Sequence, residues 1–125
     1  MRLRDLDARF LGKADATGHW YLDSVEGAQG IMFQCPKCAA GGPVEEEEQD
    51  GKVRRFVRGA HYVICWFRNP RNAPRVPDDL DPKPGRWNFT GESIDDITFV
   101  GPEMTSVWIQ GGCGWHGYVK NGDAT

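Results

Sequence analysis

Glycine and proline are the residues that most limit what this chain can fold into. The sequence has 16 glycines and 8 prolines among its 125 residues, and both residue types interrupt helices. A helical bundle is therefore disfavoured, and a coiled coil is excluded because no heptad pattern persists over several turns. Five of the prolines fall between residues 69 and 85. We therefore expect residues 69–86 to form an ordered, Pro-rich loop.

Short apolar stretches predict β-strands along much of the chain. The expected strands span residues 19–22, 30–34, 53–57, 61–67, 97–100, 105–110 and 115–119. The stretches 53–57 and 61–67 are separated by a turn signal, Arg58-Gly59-Ala60, and are expected to pair with each other. The stretch 61–67 is largely apolar on both faces, which is typical of a central, buried strand.

Two further segments complete the predicted architecture. Residues 1–13 contain apolar residues at the spacing of a short amphipathic helix. These residues are Leu3, Leu6, Phe10 and Leu11. Residues 41–51 contain four consecutive glutamates and are expected to form a flexible acidic loop, because like charges repel. The length predicts one domain over residues 1–125. The strand pattern predicts that this domain is mainly β, or α+β with one short N-terminal helix.

Basic residues are concentrated in residues 52–75, which carry seven basic side chains and no acidic one. Arginines interleaved with aromatic residues can contact phosphates while the rings stack on bases. The candidate nucleic-acid or partner-binding residues are Arg54, Arg55, Arg58, Arg68, Arg71 and Arg75. The isoelectric point of about 5.6 argues against a nucleic-acid-binding domain, and pairing with acidic residues elsewhere in the chain would cancel this charge.

The cysteines indicate a metal site. Cys35-Pro36-Lys37-Cys38 is a C-x-x-C knuckle directly after a predicted strand, and Cys113-Gly114-Trp115-His116 is a C-x-x-H pair among glycines. Together they supply three thiolates and one imidazole, a standard complement for structural zinc. We predict a zinc ribbon-like site that staples a small antiparallel sheet. The predicted ligands of this Zn²⁺ are Cys35, Cys38, Cys113 and His116.

Alternative readings of these residues stay open. His61, at the start of a predicted strand, is an alternate ligand, and Cys65 can also replace a member of the set. On one strand the two lie about 13 Å apart, too far to bind the same ion together. The C-x-x-C knuckle is also compatible with a thioredoxin-like redox pair, although no helical pattern follows Cys38.

The end of the chain resembles a family of small, uncharacterised phage and prophage proteins. Residues 112–122, Gly-Cys-Gly-Trp-His-Gly-Tyr-Val-Lys-Asn-Gly, are similar to its C-x-x-H-aromatic-aromatic-Ile/Val-x-x-Gly ending. Cys35-Pro36-Lys37-Cys38, Gly85-Arg86-Trp87 and Ile94-Asp95-Asp96-Ile97-Thr98 match further landmarks, so that the resemblance covers residues 30–122. Gly117 stands where the family more often has an aromatic residue. The resemblance implies a phage-type zinc domain and no particular reaction.

Three functions are compatible with these features. A structural zinc in a non-enzymatic protein-interaction module agrees best with four protein ligands, because closed sites are structural. Its partner would be a protein, and for a phage-encoded chain a host factor. The alternative is nucleic-acid binding through residues 52–75. The third is a zinc-dependent hydrolase, in which water replaces one ligand and Asp95 or Asp96 acts as base. No catalytic residue is assigned.

The compartment follows from what the sequence lacks. No segment has the pattern of a signal peptide or approaches the 18 consecutive apolar residues of a membrane span. We expect a cytoplasmic protein, in the host bacterial cytosol if it is phage-encoded, where thiols stay reduced.

Overall fold

The computed structural model describes residues 1–101, 105–109 and 112–125. The chain is mainly β, which confirms the predicted fold class. Within the described residues the strands are β1 (Arg9–Asp15), β2 (Gly18–Leu22), β3 (Gly30–Gln34), β4 (Val44–Gln49), β5 (Lys52–Val57), β6 (Tyr62–Trp66), β7 (Asn88–Thr90), β8 (Thr98–Val100), β9 (Ser106–Trp108), β10 (His116–Lys120) and β11 (Asp123–Ala124). A 3-10 turn at Leu3–Asp5 and a single helical turn, α1 (Pro36–Ala39), are the helical elements among them.

The central sheet is antiparallel, with strand order β2-β1-β3-β6. All five residues of β3 are buried, since it has a strand on each side and is covered on both faces. Its polar residue, Gln34, donates hydrogen bonds to the Val57 and Ala60 carbonyls and accepts one from the Val57 N–H. The predicted strands at 19–22 and 30–34 are both present.

The predicted pairing of residues 53–57 with residues 61–67 is wrong. Both stretches are strands, but β6 pairs with β3 in register Gln34↔Tyr62, whereas β5 pairs with β4. The intervening turn, with Gly59 at φ 85°, carries the chain from the β4–β5 ribbon into the central sheet. The turn signal therefore marked a change of sheet instead of a hairpin.

The acidic segment 41–51 was expected to be a loop, and instead it contains strand β4. Cross-strand pairing with β5 places Glu46 opposite Arg55 and Glu47 opposite Arg54. Arg55 forms an ion pair with Glu46, and Arg58 forms one with Glu45 at 2.9 Å. Opposite charges facing one another across a strand pair relieve the repulsion along the glutamate run. The acidic run and the first part of the basic segment, Lys52–Val57, are two strands of one ribbon.

The N-terminal helix expected over residues 1–13 is also absent, and a strand takes its place. Leu3 and Leu6 are buried beside the short 3-10 turn, and β1 then begins at Arg9. Phe10 packs into the main hydrophobic core, whereas its neighbour Leu11 packs into a smaller core with Trp66. Adjacent residues point to opposite faces of a strand, so β1 buries both.

A three-stranded sheet, β11-β10-β9, closes the C-terminal part of the fold. The predicted strands at 105–110 and 115–119 correspond to β9 and β10, with Gln110 outside the described residues. Gly117 lies so close to the chain end that an added Cβ would overlap the Thr125 carbonyl oxygen. A side chain at position 117 would therefore require the Thr125 backbone to move.

The Pro-rich segment 69–86 contains neither helix nor strand and wraps around one buried side chain. Arg86 is only 2% exposed. Its guanidinium donates hydrogen bonds of 2.8–3.0 Å to four backbone carbonyls, and burial lowers its pKa. The acceptors are Pro77, Leu80, Pro82 and Gly85. The Arg86 side chain supplies hydrogen-bond donors to the loop, where the prolines have no backbone N–H to donate.

Within the described parts of the chain, none of the helical segments has the length and apolar character required to cross a membrane.

The replacement Arg86→Met should destabilise the domain by about 3 kcal/mol, because several carbonyls in the loop lose a charged donor. Arg75→Ala is the control, since Arg75 forms an exposed ion pair with Asp78 at 2.7 Å and its loss should cost less than about 1 kcal/mol. Urea unfolding measures both changes. Equal effects of the two substitutions would contradict the role given to Arg86.

Candidate metal centre

Three cysteines and one histidine meet at one end of the central sheet. Cys35 follows β3, Cys38 lies in α1, His61 precedes β6, and Cys113 lies between β9 and β10. Their ligand atoms all lie within 4.8 Å of one another. Segments far apart in the sequence thus supply a Cys₃His group that can hold a metal ion.

The local geometry of the C-x-x-C knuckle comes from α1. Pro36 occupies the start of this helical turn, where its fixed φ is compatible with a helix and its missing N–H is not required. The Ala39 N–H donates to the Cys35 carbonyl at 3.0 Å. Residues three apart lie on the same side of a helical turn, so Cys35 and Cys38 face the same point.

The pairing of β3 with β6 brings His61 to this knuckle. Gln34 lies opposite Tyr62, so the next residues along each strand, Cys35 and His61, are neighbours. The Cys35 N–H donates to the His61 carbonyl at 2.8 Å. His61 reaches the cluster because its strand pairs with the strand that ends in the knuckle.

Cys113 is carried by the turn between β9 and β10. Gly112 and Gly114 flank it at φ 53° and 67°, a conformation that glycine adopts without steric cost. The turn is closed by a hydrogen bond from the Ile109 N–H to the Trp115 carbonyl at 2.8 Å. Gly112 and Gly114 are two of the glycines that surround the C-x-x-H pair in the sequence; another, Gly111, lies outside the described residues.

The distances within the cluster show that the four side chains lie close enough together to share one metal ion. The Sγ atoms of Cys35 and Cys113 are 3.4 Å apart, and Cys38 Sγ lies 3.3 Å from His61 Nδ1. Cys113 Sγ lies 3.8 Å from His61 Nε2. Zinc bonds of about 2.3 Å to sulfur and about 2.0 Å to nitrogen place neighbouring ligand atoms about 3.5–3.8 Å apart. Cys38 contacts Nδ1 of His61 and Cys113 contacts Nε2, and one ion can bind only one of these nitrogens. Rotation of the His61 ring would therefore have to direct one nitrogen at the three sulfurs.

The structure therefore places the alternate ligand His61, and not His116, in the cluster with the three predicted cysteines. His116 lies on β10 opposite Trp108, is exposed, and stacks on the Trp108 ring with the ring centroids 5.4 Å apart. Cys113 lies in a turn, whereas His116 is the first residue of β10. Its position in the strand directs the His116 side chain to the solvent-exposed face of β10. Cys65 lies inside β6 and outside the cluster, and complete burial raises its pKa.

The two sulfur atoms in contact have different electrostatic surroundings. Burial raises the pKa of the Cys35 thiol to about 11, and the Cys113 side chain adds to this rise. At Cys113 partial burial acts in the same direction, but it is outweighed and the pKa is lowered. The lowering comes from the Trp115 backbone N–H, the thiols of Cys35 and Cys38, and the Lys37 ammonium. Cys113 is the thiolate that this environment favours.

Lys37 is positioned to balance the charge of a loaded site. Three thiolates around a divalent cation would leave a net charge of −1. The Lys37 ammonium donates a hydrogen bond to the Cys113 carbonyl at 2.6 Å, so its positive charge lies beside the cluster. Partners of this kind orient metal ligands and tune their affinity.

The donor set limits both the metal and its role. Thiolate and imidazole in a tetrahedral arrangement favour zinc over the oxygen-preferring cations. Four protein donors bound to one ion would fill a tetrahedral coordination sphere and leave no position for water, which favours a structural site over a catalytic one. The carboxylates considered as bases have other contacts: Asp95 lies 3.8 Å from Arg4, and Asp96 accepts the Glu92 and Ser93 N–H groups.

The arginines predicted to bind nucleic acid or a partner are largely paired within the protein. Five of them form ion pairs: Arg54 with Asp7, Arg55 with Asp5, Arg58 with Glu45, Arg71 with Glu92 and Arg75 with Asp78. Arg68 is half-buried, and its backbone N–H donates to the Trp87 carbonyl. Binding phosphates through the five paired arginines would require competition with these carboxylates.

Comparison with protein families, curated proteins and solved structures finds no significant match. The resemblance to phage and prophage proteins therefore stays a prediction.

Replacing Lys37 with methionine should lower zinc affinity about tenfold, because the hydrogen bond to Cys113 and a balancing charge are both lost. Lys13→Met is the matched control, since Lys13 lies over the Trp20 ring. Competition with a chromogenic chelator measures both affinities. Unchanged affinity in the Lys37 variant would show that Lys37 has no part in binding.

Proposed function

We propose that the protein is a zinc-binding protein-interaction module whose metal is structural. One Zn²⁺ is held by Cys35, Cys38, His61 and Cys113. The observation that carries the proposal is the convergence of these four ligand atoms within 4.8 Å. The donors come from the end of β3 with α1, the start of β6, and the β9–β10 turn.

The metal connects the C-terminal hairpin to the central sheet. Cys35 and Cys113 are 78 residues apart in sequence. The entropy of closing a loop grows only slowly with its length, so this separation is no obstacle to the site. At the same junction, Trp115 packs edge-on against Phe33, with ring centroids 6.0 Å apart. Metal binding and this aromatic contact stabilise the same docking of β9 and β10.

The hairpin that the metal holds has an aromatic outer face. Along β10, exposed residues alternate with buried ones, which places His116, Tyr118 and Lys120 on one side. Trp108, opposite His116, is 62% exposed, and Tyr118 is 54% exposed. Aromatic side chains are enriched where proteins bind one another. We define Trp108, His116 and Tyr118 as the hairpin face and assign it to a protein partner, which is a host factor if the chain is phage-encoded.

The zinc content of variants should show that His61, and not His116, is the histidine ligand. Purified wild-type protein should contain one zinc per chain, and Cys38→Ser and His61→Ala should lose it, because each removes one donor. His116→Ala is the control and should retain zinc, since His116 stacks on Trp108. Elemental analysis measures the metal. Loss of zinc from His116→Ala and its retention in His61→Ala would overturn the proposed ligand set.

Capture of a partner should depend on the hairpin face. Trp108→Ala should reduce capture of a stoichiometric protein from a host lysate at least tenfold, as loss of a central aromatic anchor does. Trp20→Ala is the matched control, because Trp20 is also 62% exposed but lies on β2. Both variants should keep their zinc. Equal capture by the two variants, or no partner for the wild type, would contradict the assignment.

A further inference from the structure

The sulfur atoms of Cys35 and Cys113 are in contact, and this contact has a chemical consequence beyond metal binding. We propose that the metal centre is also a peroxide-sensitive thiol site, in which a peroxide joins Cys35 to Cys113 by a disulfide and releases the zinc. This inference rests on the proposed zinc site. The substrate class is a small peroxide, and the modified residues are these two cysteines.

The two sulfurs need little movement to form a bond. They lie 3.4 Å apart, whereas a disulfide bond is about 2.0 Å long. Rotation about the side-chain bonds of two residues on separate segments can close this gap. The sulfur of Cys38 lies instead beside His61 Nδ1, at 3.3 Å. Cys38 Sγ is also within 4.8 Å of the other two sulfurs, but the 3.4 Å contact favours Cys35 and Cys113 as the oxidised pair.

Exposure sets the order of the steps. Cys35 is fully buried, whereas Cys113 is partly exposed. Within this pair a peroxide therefore reaches Cys113 before Cys35, and Cys35 is the thiol that completes the reaction. Cys38 is more exposed than Cys113, so its oxidation is the competing reaction that the peptide map must exclude. Cys65 is fully buried within β6 and lies outside the cluster, so it should remain reduced.

The reaction balances with one peroxide per disulfide. The Cys113 sulfur attacks the O–O bond, which gives a sulfenic acid and releases an alcohol, or water when the oxidant is hydrogen peroxide. The Cys35 sulfur then attacks the sulfenic sulfur, the S–S bond forms and water leaves. Two electrons pass from the two thiolates to the peroxide, and solvent supplies two protons. Zn²⁺ keeps only Cys38 and His61 as ligands and dissociates.

The disulfide links the same two segments as the metal does. Cys35 follows β3 and Cys113 precedes β10, so the hairpin stays attached to the central sheet after zinc has left. The protein therefore loses its metal without losing its fold. Reduction by a thiol, followed by zinc, restores the original state.

Tryptic mapping can assign the disulfide without ambiguity. Trypsin places each of the four cysteines in its own peptide: residues 14–37, 38–52, 59–68 and 87–120. The zinc content of the full chain is measured first. The protein then receives one equivalent of hydrogen peroxide, a chromogenic chelator reports released zinc, and mass spectrometry under non-reducing conditions identifies linked peptides.

The expected result is one zinc released per peroxide and a disulfide between peptides 14–37 and 87–120. Peptides 38–52 and 59–68 should keep free thiols, and near-ultraviolet circular dichroism should be unchanged. Cys38→Ser should form the same disulfide, whereas Cys113→Ser should not.

Retention of zinc after peroxide, a link from peptide 38–52 to either peptide 14–37 or peptide 87–120, or over-oxidation without a link would each overturn the inference. A wild-type chain that binds no zinc before peroxide is added refutes the zinc site itself. The two failures are therefore distinguishable.

Discussion

The antiparallel pairing of β3 with β6 is the interaction on which the metal centre depends. Gln34 lies opposite Tyr62, so the knuckle after β3 meets His61 before β6. Because side chains alternate in a strand, a shift of one residue would exchange the side chains that β3 presents to its two buried faces and would move the two ligand segments apart. The core and the metal centre are therefore determined by the same register, and the β9–β10 turn completes the site with Cys113.

Charge pairing between strands determines the surface formed by the β4–β5 ribbon. The glutamates of β4 and the arginines of β5 neutralise one another across the ribbon, and the carboxylates of Asp5 and Asp7 extend this pairing to the N-terminal segment. A block of one charge in the sequence thus becomes part of a mixed surface in the fold. By contrast, the hairpin face carries exposed aromatic rings, which supports the proposal that it contacts a partner.

Local patterns predicted the strands and most of the ligands, but long-range pairing lay beyond them. The knuckle and the glycine-flanked Cys113 are recognisable because a short spacing defines them. His116 has the same kind of spacing from Cys113, but its prediction as a ligand was wrong because β10 begins at His116 and directs its side chain away from the cluster. His61 was recognisable only as an alternate, since its place depends on β6 pairing with β3 instead of β5. Likewise, the glutamate run signals a loop unless its arginine partners are known.

The ligand set can be tested residue by residue by NMR spectroscopy of the full chain loaded with an NMR-active cadmium isotope in place of zinc. Scalar coupling connects the metal to protons of each coordinating side chain. We predict couplings to the β-protons of Cys35, Cys38 and Cys113 and to the ring protons of His61. Coupling to the ring of His116, or the absence of coupling to any one of the three cysteines, would contradict the proposed centre.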